Sequence, residues 1–218
     1  MKARLSQFAY LTAAAFAAVI FVCTINAQDV KVNDAPLRDF AKDVQAKIDK
    51  KEIDVTKPFS VEMAAVINDD GKLNRTTSKF TSESGDAKMV EVAKQAILAM
   101  GDSGYFGYLL QAGISQATLS VSQTAQTFTG NVHASKNRFE AAVLTSGINA
   151  MLSIGVSRQN MQPNEKLILE NTRASHDAGN IDITCTLPAA DFQRMIINNP
   201  QVSYQPTRAN IPITIVAF

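Results

Sequence analysis

Two histidines are the first residues to consider for catalysis or metal binding, because imidazole serves as a base and as a ligand. His133 lies near the end of a predicted strand, and His176 lies beside Asp177 in a predicted turn. A metal site needs several converging ligands, and a nucleophile needs a base beside it. Neither histidine has such neighbours in the sequence, and no G-x-S-x-G motif occurs. We therefore predict no catalytic residue, no metal site and no cofactor, and we expect a protein that is not an enzyme.

Carboxylate pairs have local structural explanations. Asp69 and Asp70 lie in a predicted turn, where aspartate is favoured, and their spacing does not match a calcium-binding loop. Glu83 and Asp86 lie just ahead of a predicted helix, which Asp86 is placed to cap. We assign neither pair to chemistry.

Three glycines and three aromatic side chains are concentrated in residues 101–108. Tyr105, Phe106 and Tyr108 are candidate interaction residues, because they can frame a ligand pocket or a partner surface. The alternative is a helix end followed by a short helix whose aromatic residues cap the core. The run has no G-x-G-x-x-G spacing and no following Lys-Ser/Thr pair, so we do not expect it to bind phosphate.

These residues must be positioned by a fold, and the apolar pattern predicts three strand–strand–helix units. In the first unit, apolar residues alternate over 59–67, a turn follows at 68–71, and a return strand covers 72–81. Asp86 then caps a helix that ends at Gly101.

The second and third units repeat this order. The second has strands at 117–121 and 127–134, and the third has strands at 167–175 and 181–187, followed by a helix from Pro188. Tight turns join neighbouring strands in antiparallel fashion. We therefore predict an α+β fold in which an antiparallel sheet carries helices packed on one face.

The helix of the second unit begins with a capping pair, Asn137 and Glu140. It has two apolar stripes, one with Phe139, Ala142, Val143, Ala150, Met151 and Ile154, the other with Leu144, Ile148 and Leu152. We therefore expect it to be covered on more than one face. Ser146 and Gly147 give it small residues where another element can approach closely.

An amphipathic helix precedes the three units. Asp34 can cap it, Pro36 lies in its first turn, and apolar residues recur at helical spacing from Leu37 to Ile48. We expect it to dock either on its own domain or on a membrane surface. Residues 28–58 are thus this helix with its linker, and residues 59–198 are the α+β domain.

The tail, residues 199–218, contains three prolines and ends in uncharged residues with strand chemistry. It is predicted to be an edge strand of the domain or a segment that adds to the sheet of a partner. Ile213, Ile215 and Phe218 are candidate interaction residues in this segment.

The first 27 residues are typical of a secretory signal peptide. Lys2 and Arg4 precede an apolar stretch, and Ala27 lies at the predicted cleavage site. The alternative is an uncleaved anchor, because the apolar stretch reaches the lower length limit for a membrane span. We expect a periplasmic or secreted protein, or one anchored by this helix.

The charge balance narrows the class of partner. Without residues 1–27 the chain has 19 basic and 20 acidic residues, which does not favour binding to nucleic acid.

Without residues 1–27, Cys185 is the one cysteine of the chain and cannot form an internal disulfide. We expect it to be buried, as free cysteines usually are.

A resemblance to a known family covers residues 59–100. The turn and return at 70–73, the link at 82–86 and the helix at 89–97 together resemble the carboxy-terminal domain of TonB-family proteins, the periplasmic partners of outer-membrane transporters. The resemblance implies a periplasmic domain that contacts an envelope protein. That family also has a retained anchor and a long proline-rich spacer, whereas residues 28–58 hold one predicted helix and two prolines.

We therefore expect an exported, non-enzymatic envelope protein that acts through protein–protein contacts. The alternative is a periplasmic carrier of a small apolar ligand or lipid, with a pocket between the sheet and its helices. Six methionines follow residue 27, and flexible thioethers suit such a pocket as well as an ordinary core.

Overall fold

The structure is a computed structural model that describes residues 30–158 and 161–197. The predicted signal at 1–27 and the tail at 199–218 lie outside the described residues. In chain order the elements are α1 (Ala35–Asp49), β1 (Phe59–Val66), β2 (Lys79–Gly85), α2 (Ala87–Asp102), α3 (Gly107–Gln111), β3 (Gln116–Gln123), β4 (Thr127–Ser135), α4 (Arg138–Val156), α5 (Pro163–Glu170), β5 (Thr172–Asp177), β6 (Asn180–Pro188) and α6 (Ala189–Ile197).

The strands form one six-stranded sheet in the order β2-β1-β3-β4-β6-β5, and every neighbouring pair is antiparallel. This confirms the predicted α+β fold with three strand–strand–helix units. One face of the sheet is apolar because alternate residues of β1, β3, β4 and β6 point toward the helices, as Val61, Leu119 and Ile183 do.

The helices cover that apolar face. α2 packs on β1 and β2, α4 on β5 and β6, and α6 on β4 and β6. Phe192 of α6 stacks on Phe128 of β4 with ring centroids 3.6 Å apart. The opposite face of the sheet carries half-exposed polar side chains such as Ser120, Asn131 and Thr184.

The first helix docks on its own domain, which is one of the two predicted arrangements. α1 packs against α2 and buries its apolar stripe, which includes Leu37, Phe40, Ala41 and Val44. Asp34 occupies the N-cap position but makes no side-chain hydrogen bond to the first turn. Its Oδ1 accepts a hydrogen bond from the hydroxyl of Tyr105, with the two oxygens 3.1 Å apart.

The predicted return strand at 72–81 is wrong in position. Leu73 makes a single bridge with Ile67, and β2 runs from Lys79 to Gly85, over the stretch predicted as a link. The cause is Asn74, whose Oδ1 accepts the backbone N–H groups of Thr76 and Thr77 at 3.1 Å. An asparagine that bonds its own backbone in this way turns the chain away from a strand.

The predicted strand at 167–175 is wrong over its first half. Residues 167–170 are the end of α5, which starts with Pro163, and the strand β5 begins only at Thr172. Thr172 Oγ1 donates to the carbonyl of Ile168 at 2.7 Å and so ties the strand to the last helical turn. A short apolar run does not by itself distinguish helix from strand.

Candidate interaction surface

The aromatic run at 105–108 belongs to the core and not to a surface patch. Phe106 is completely buried, so its prediction as an interaction residue is wrong, and Tyr105 and Tyr108 are half-buried against the core. α2 continues through Gly101 to Asp102, beyond its predicted end, and α3 follows. This is the alternative arrangement, in which the aromatic residues of a short helix cap the core.

Close backbone contact explains the glycines of this region. Gly71 has a φ of +79°, and a Cβ added to it would lie 2.7 Å from the Cα of Gly107. The turn after β1 therefore packs directly on the start of α3. Ile213, Ile215 and Phe218, the other candidate interaction residues, lie outside the described residues.

The orientation of α4 is fixed by a capping bond and an amide clamp. Asn137 Oδ1 accepts the N–H of Glu140 at 2.9 Å, as the sequence predicted. In the middle of the helix, Asn149 Nδ2 donates to the carbonyl of Ala174 at 2.8 Å, and Asn149 Oδ1 accepts the N–H of Ala174 at 2.9 Å. Because β5 is an edge strand, this side chain satisfies backbone groups that no further strand pairs.

Only one narrow stripe of α4 is buried against the sheet. It consists of Ala141, Thr145, Ile148 and Leu152. Thr145 Oγ1 also lies 2.9 Å from His176 Nδ1, which adds a second polar link between α4 and β5. His176 thus joins the edge strand to α4.

The opposite side of α4 is apolar and uncovered by the described residues. Phe139 is 78% exposed, Val143 56% and Ile154 61%. The prediction that this helix is covered on more than one face is therefore wrong for the described part of the chain. The physical reason is that α4 lies on the outside of the helical layer, with α5 beside it and no described element over it. We call this surface, formed by Phe139, Val143, Ser146, Gly147, Ala150 and Ile154, the α4 stripe.

The α4 stripe has no charge along most of its length, because residues 141–157 include no acidic or basic side chain. Its centre is shallow, since a Cβ added to Gly147 would find no atom within 4 Å. Among the described residues, α4 is the one helix whose length and apolar composition suffice to cross a membrane. In the structure it is docked along β5 instead, and Asn149 and Thr145 hold it there.

A polar cluster lies on the open face of the sheet. His133 Nδ1 is 3.0 Å from Asp182 Oδ1, and Asn131 Nδ2 donates to the same oxygen at 3.3 Å. No hydroxyl or thiol of the described residues is hydrogen bonded to His133, so the pair lacks a nucleophile. The described residues also contain no group of three His, Cys, Asp or Glu side chains able to hold a metal ion.

The interior leaves little space for a ligand. The cavity between the sheet and its helices, lined by residues such as Val44, Phe59, Met89 and Phe128, holds about 20 Å³. That volume is close to what one water needs. A larger groove of about 780 Å³ runs along α1 and α2, but it is open and lined by charges of both signs. The first space is apolar but too small for a ligand, and the second is large but open and charged, so neither is the apolar pocket that the carrier hypothesis requires.

Cys185 is buried, as predicted. Burial raises the pKa of its thiol, while a hydrogen bond with Thr172 acts in the opposite direction and is weaker. The thiol is therefore protonated at neutral pH and shielded from reagents, which is typical of a structural cysteine.

The sequence pointed to the residues of the α4 stripe but not to their exposure. The signal was present in the seventeen residues 141–157, where the lack of charge on any side of the helix is unusual for an ordinary surface helix. The Asn149 clamp was missed, although an asparagine in the middle of an apolar helix indicates a hydrogen-bond partner outside the helix.

Comparisons of the chain with protein-family models, with curated proteins and with solved structures find no match. The resemblance of residues 59–100 to the TonB family therefore stays a prediction.

Proposed function

We propose that this protein is an exported, non-enzymatic binding protein that acts through contact with another protein chain, and that the α4 stripe is its contact surface. The observation that carries the proposal is the exposure of Phe139, Val143 and Ile154 on one side of a helix that the rest of the domain holds in place. Contiguous exposed apolar side chains rimmed by polar ones mark interaction sites in soluble proteins.

The energetics favour a covered stripe. Complete burial of an apolar side chain of this size stabilises by about 1.5–3 kcal/mol. Three such side chains therefore offer several kilocalories per mole to any partner that removes them from water. A partner also benefits from a preformed site, because the Asn149 clamp and the buried stripe fix α4 before binding.

The export part of the proposal rests on residues 1–27, where two basic residues precede an apolar stretch that ends at Ala27. The intact mass of the protein in separate soluble and membrane fractions of its host tests this part. A soluble species that lacks residues 1–27 supports a freely diffusing exported domain. A full-length species in the membrane fraction identifies an uncleaved anchor and favours a TonB-like arrangement.

The contact surface is tested in the host that exports the chain. A photo-crosslinking phenylalanine analogue is placed at position 150 in the α4 stripe or, as a matched control, at position 64. Ala64 is also exposed but lies on the open face of the sheet. We expect a protein adduct from position 150 and none from position 64. Adducts from position 64 alone, or from neither position, would contradict the proposal.

A further inference from the structure

We propose that the α4 stripe is covered by the α4 stripe of a second copy of the chain, in an antiparallel pair whose two-fold axis passes between Ser146 and Gly147. This inference rests on the proposed function and names its partner. It follows from how the stripe is arranged about its own centre, from the charges at its ends, and from the shape that a partner must have.

The stripe is self-complementary about its midpoint. Large apolar residues occupy its two ends, Phe139 at one and Ile154 at the other, and small residues occupy its centre. An antiparallel copy with the axis at the midpoint places Phe139 against Ile154 and Val143 against Ala150. Val143 of one copy thus packs against the smaller Ala150 of the other, which is the size match that close helix packing requires.

The small centre allows the two helices to approach. Ser146 of one copy faces Gly147 of the other, and the space around Gly147 is empty. Interaxial distances at the short end of the usual 8–10 Å range need small residues at the contact point. A contact that uses the same surface on both chains is the commonest interface of soluble homo-oligomers.

The charges favour the antiparallel over the parallel arrangement. Arg138 and Glu140, the two charged residues of α4, both lie in its first turn. Glu140 flanks the stripe, whereas Arg138 lies on the other side of the helix. In a parallel pair the two Glu140 carboxylates would lie at the same end of the contact, where like charges repel. In the antiparallel pair Glu140 faces Ser153, and the two helix dipoles oppose each other favourably.

The same charges argue against a lipid surface as the occupant. Helices that lie in a membrane interface carry several Lys or Arg side chains along their polar face. α4 carries only Arg138, and the nearby Lys136 pairs with Glu140 at 3.8 Å. A protein helix without charge is therefore the better match to this stripe than an anionic bilayer.

The size of the contact predicts a reversible dimer. α4 has 19 residues and is about 28 Å long. One helix pair of that length makes an interface at the small end of specific ones, which are typical of transient complexes. We expect a monomer–dimer equilibrium with a dissociation constant in the micromolar range.

Single cysteines on α4 test the pairing. The full chain has two cysteines, so Cys23→Ser leaves only the buried Cys185 as background. Ser146→Cys places a thiol beside the axis, where a disulfide with its own copy is within reach. Ser153→Cys is the matched control, because Ser153 is also an exposed serine of α4. In the antiparallel pair it faces Glu140 of the other copy, so the two Ser153 positions are thirteen residues apart along the helix axis, or about 20 Å.

We expect oxidation to give a disulfide-linked dimer from Ser146→Cys, with at least a tenfold lower yield from Ser153→Cys. Adding Phe139→Asp to Ser146→Cys is expected to suppress the dimer, and the same substitution in the unmodified chain shifts sedimentation to the monomer at all concentrations. Equal yields from both cysteines indicate a parallel or unspecific contact and overturn the antiparallel pair.

Failure of this inference is distinguishable from failure of the proposed function. A chain that stays monomeric, with no disulfide from Ser146→Cys, overturns the second copy as partner. If the crosslinker at position 150 then gives an adduct with a different protein, the contact surface stands and only its partner changes. An adduct within one chain whose crosslink maps to residues 199–218 identifies the tail as the occupant and overturns both.

Discussion

α2 and α4 hold the same place in two successive strand–strand–helix units, yet their surroundings differ. α2 buries nine residues, because the sheet covers one side and α1 packs against it as well. α4 buries four, in contact with β5, β6 and the short helix α5. The chain thus supplies a second cover for the broad apolar surface of α2, whereas the described residues supply none for α4.

The two helices begin in the same way. Asp86 accepts the N–H groups of Lys88 and Met89, and Asn137 accepts that of Glu140. Local capping therefore does not explain why one helix is covered and the other is not. Within the chain, α1 packs against α2. We infer that α4 packs instead against the α4 of a second copy of the chain.

The largest expected effect comes from weakening the cover of α2. Leu37 of α1 is 1% exposed, so Leu37→Ala leaves a cavity and should lower the free energy of unfolding by about 2–5 kcal/mol. Val143→Ala on the α4 stripe should change it by no more than about 0.5 kcal/mol in the monomer. Urea unfolding at low protein concentration measures both. Similar losses from the two variants would mean that the α4 stripe is already covered within the chain.

The clamp that holds α4 to the sheet should have the next largest effect. Asn149→Ala removes two hydrogen bonds and leaves the N–H and C=O of Ala174 without that partner, which should cost about 1–3 kcal/mol. Asn149→Asp keeps the acceptor but sets a carboxylate oxygen against the carbonyl oxygen of Ala174, so it should not restore the stability lost in Asn149→Ala. Urea unfolding and hydrogen exchange at Ala174 report the two effects. Unchanged exchange at Ala174 in Asn149→Ala would show that the clamp does not hold α4.

Most of the fold follows from residues that act locally. Apolar and polar residues alternate along β1, β3, β4 and β6, and the structure confirms these strands. It also confirms the helix caps at Asp86 and Asn137. The errors arise where one side chain redirects the backbone, as Asn74 does before β2, or where a short apolar run fits two structures, as in α5.

The candidate site was harder to predict than the fold. The positions of Phe139, Val143 and Ile154 on one side of a helix follow from a period of 3.6 residues. Whether another element covers that side depends on where α1 and α5 lie in three dimensions, and periodicity carries no information about that. For the same reason the sequence left open whether Phe106 lies on a surface or in the core, and the structure buries it.

Removal of the caps should have equal and moderate effects on the two helices. Asp86→Ala and Asn137→Ala each delete a side-chain acceptor at an N-terminus, and each should cost about 1 kcal/mol. Equal losses in urea unfolding would show that α2 and α4 differ in their cover and not in their ends. A loss at Asn137 several times larger than at Asp86 would place the difference in local structure instead.

The smallest expected effect concerns the linker that joins α1 to the sheet. Hydrogen bonds from the side chain and then the backbone of Thr56 hold the pKa of the Asp54 carboxyl below its ordinary value. A lowered pKa in the folded state stabilises the protein above the unfolded pKa, and this contribution is lost as the pH falls through the folded pKa. Asp54 is exposed, so solvent screening keeps the stability change below about 0.5 kcal/mol.

Thr56→Val deletes the hydroxyl donor and keeps the backbone N–H, so it should raise the pKa of Asp54 only part of the way toward its ordinary value. A carboxyl carbon titration by NMR measures the shift directly. The same substitution should leave the unfolding of α2 and its cover unchanged, because the bond shapes only the exposed turn of the linker. A pKa that does not move would show that the Thr56 hydroxyl does not bond to Asp54 in solution. The linker would keep its other anchor, the hydrogen bonds that Gln123 Nε2 donates to the carbonyls of Val55 and Lys57.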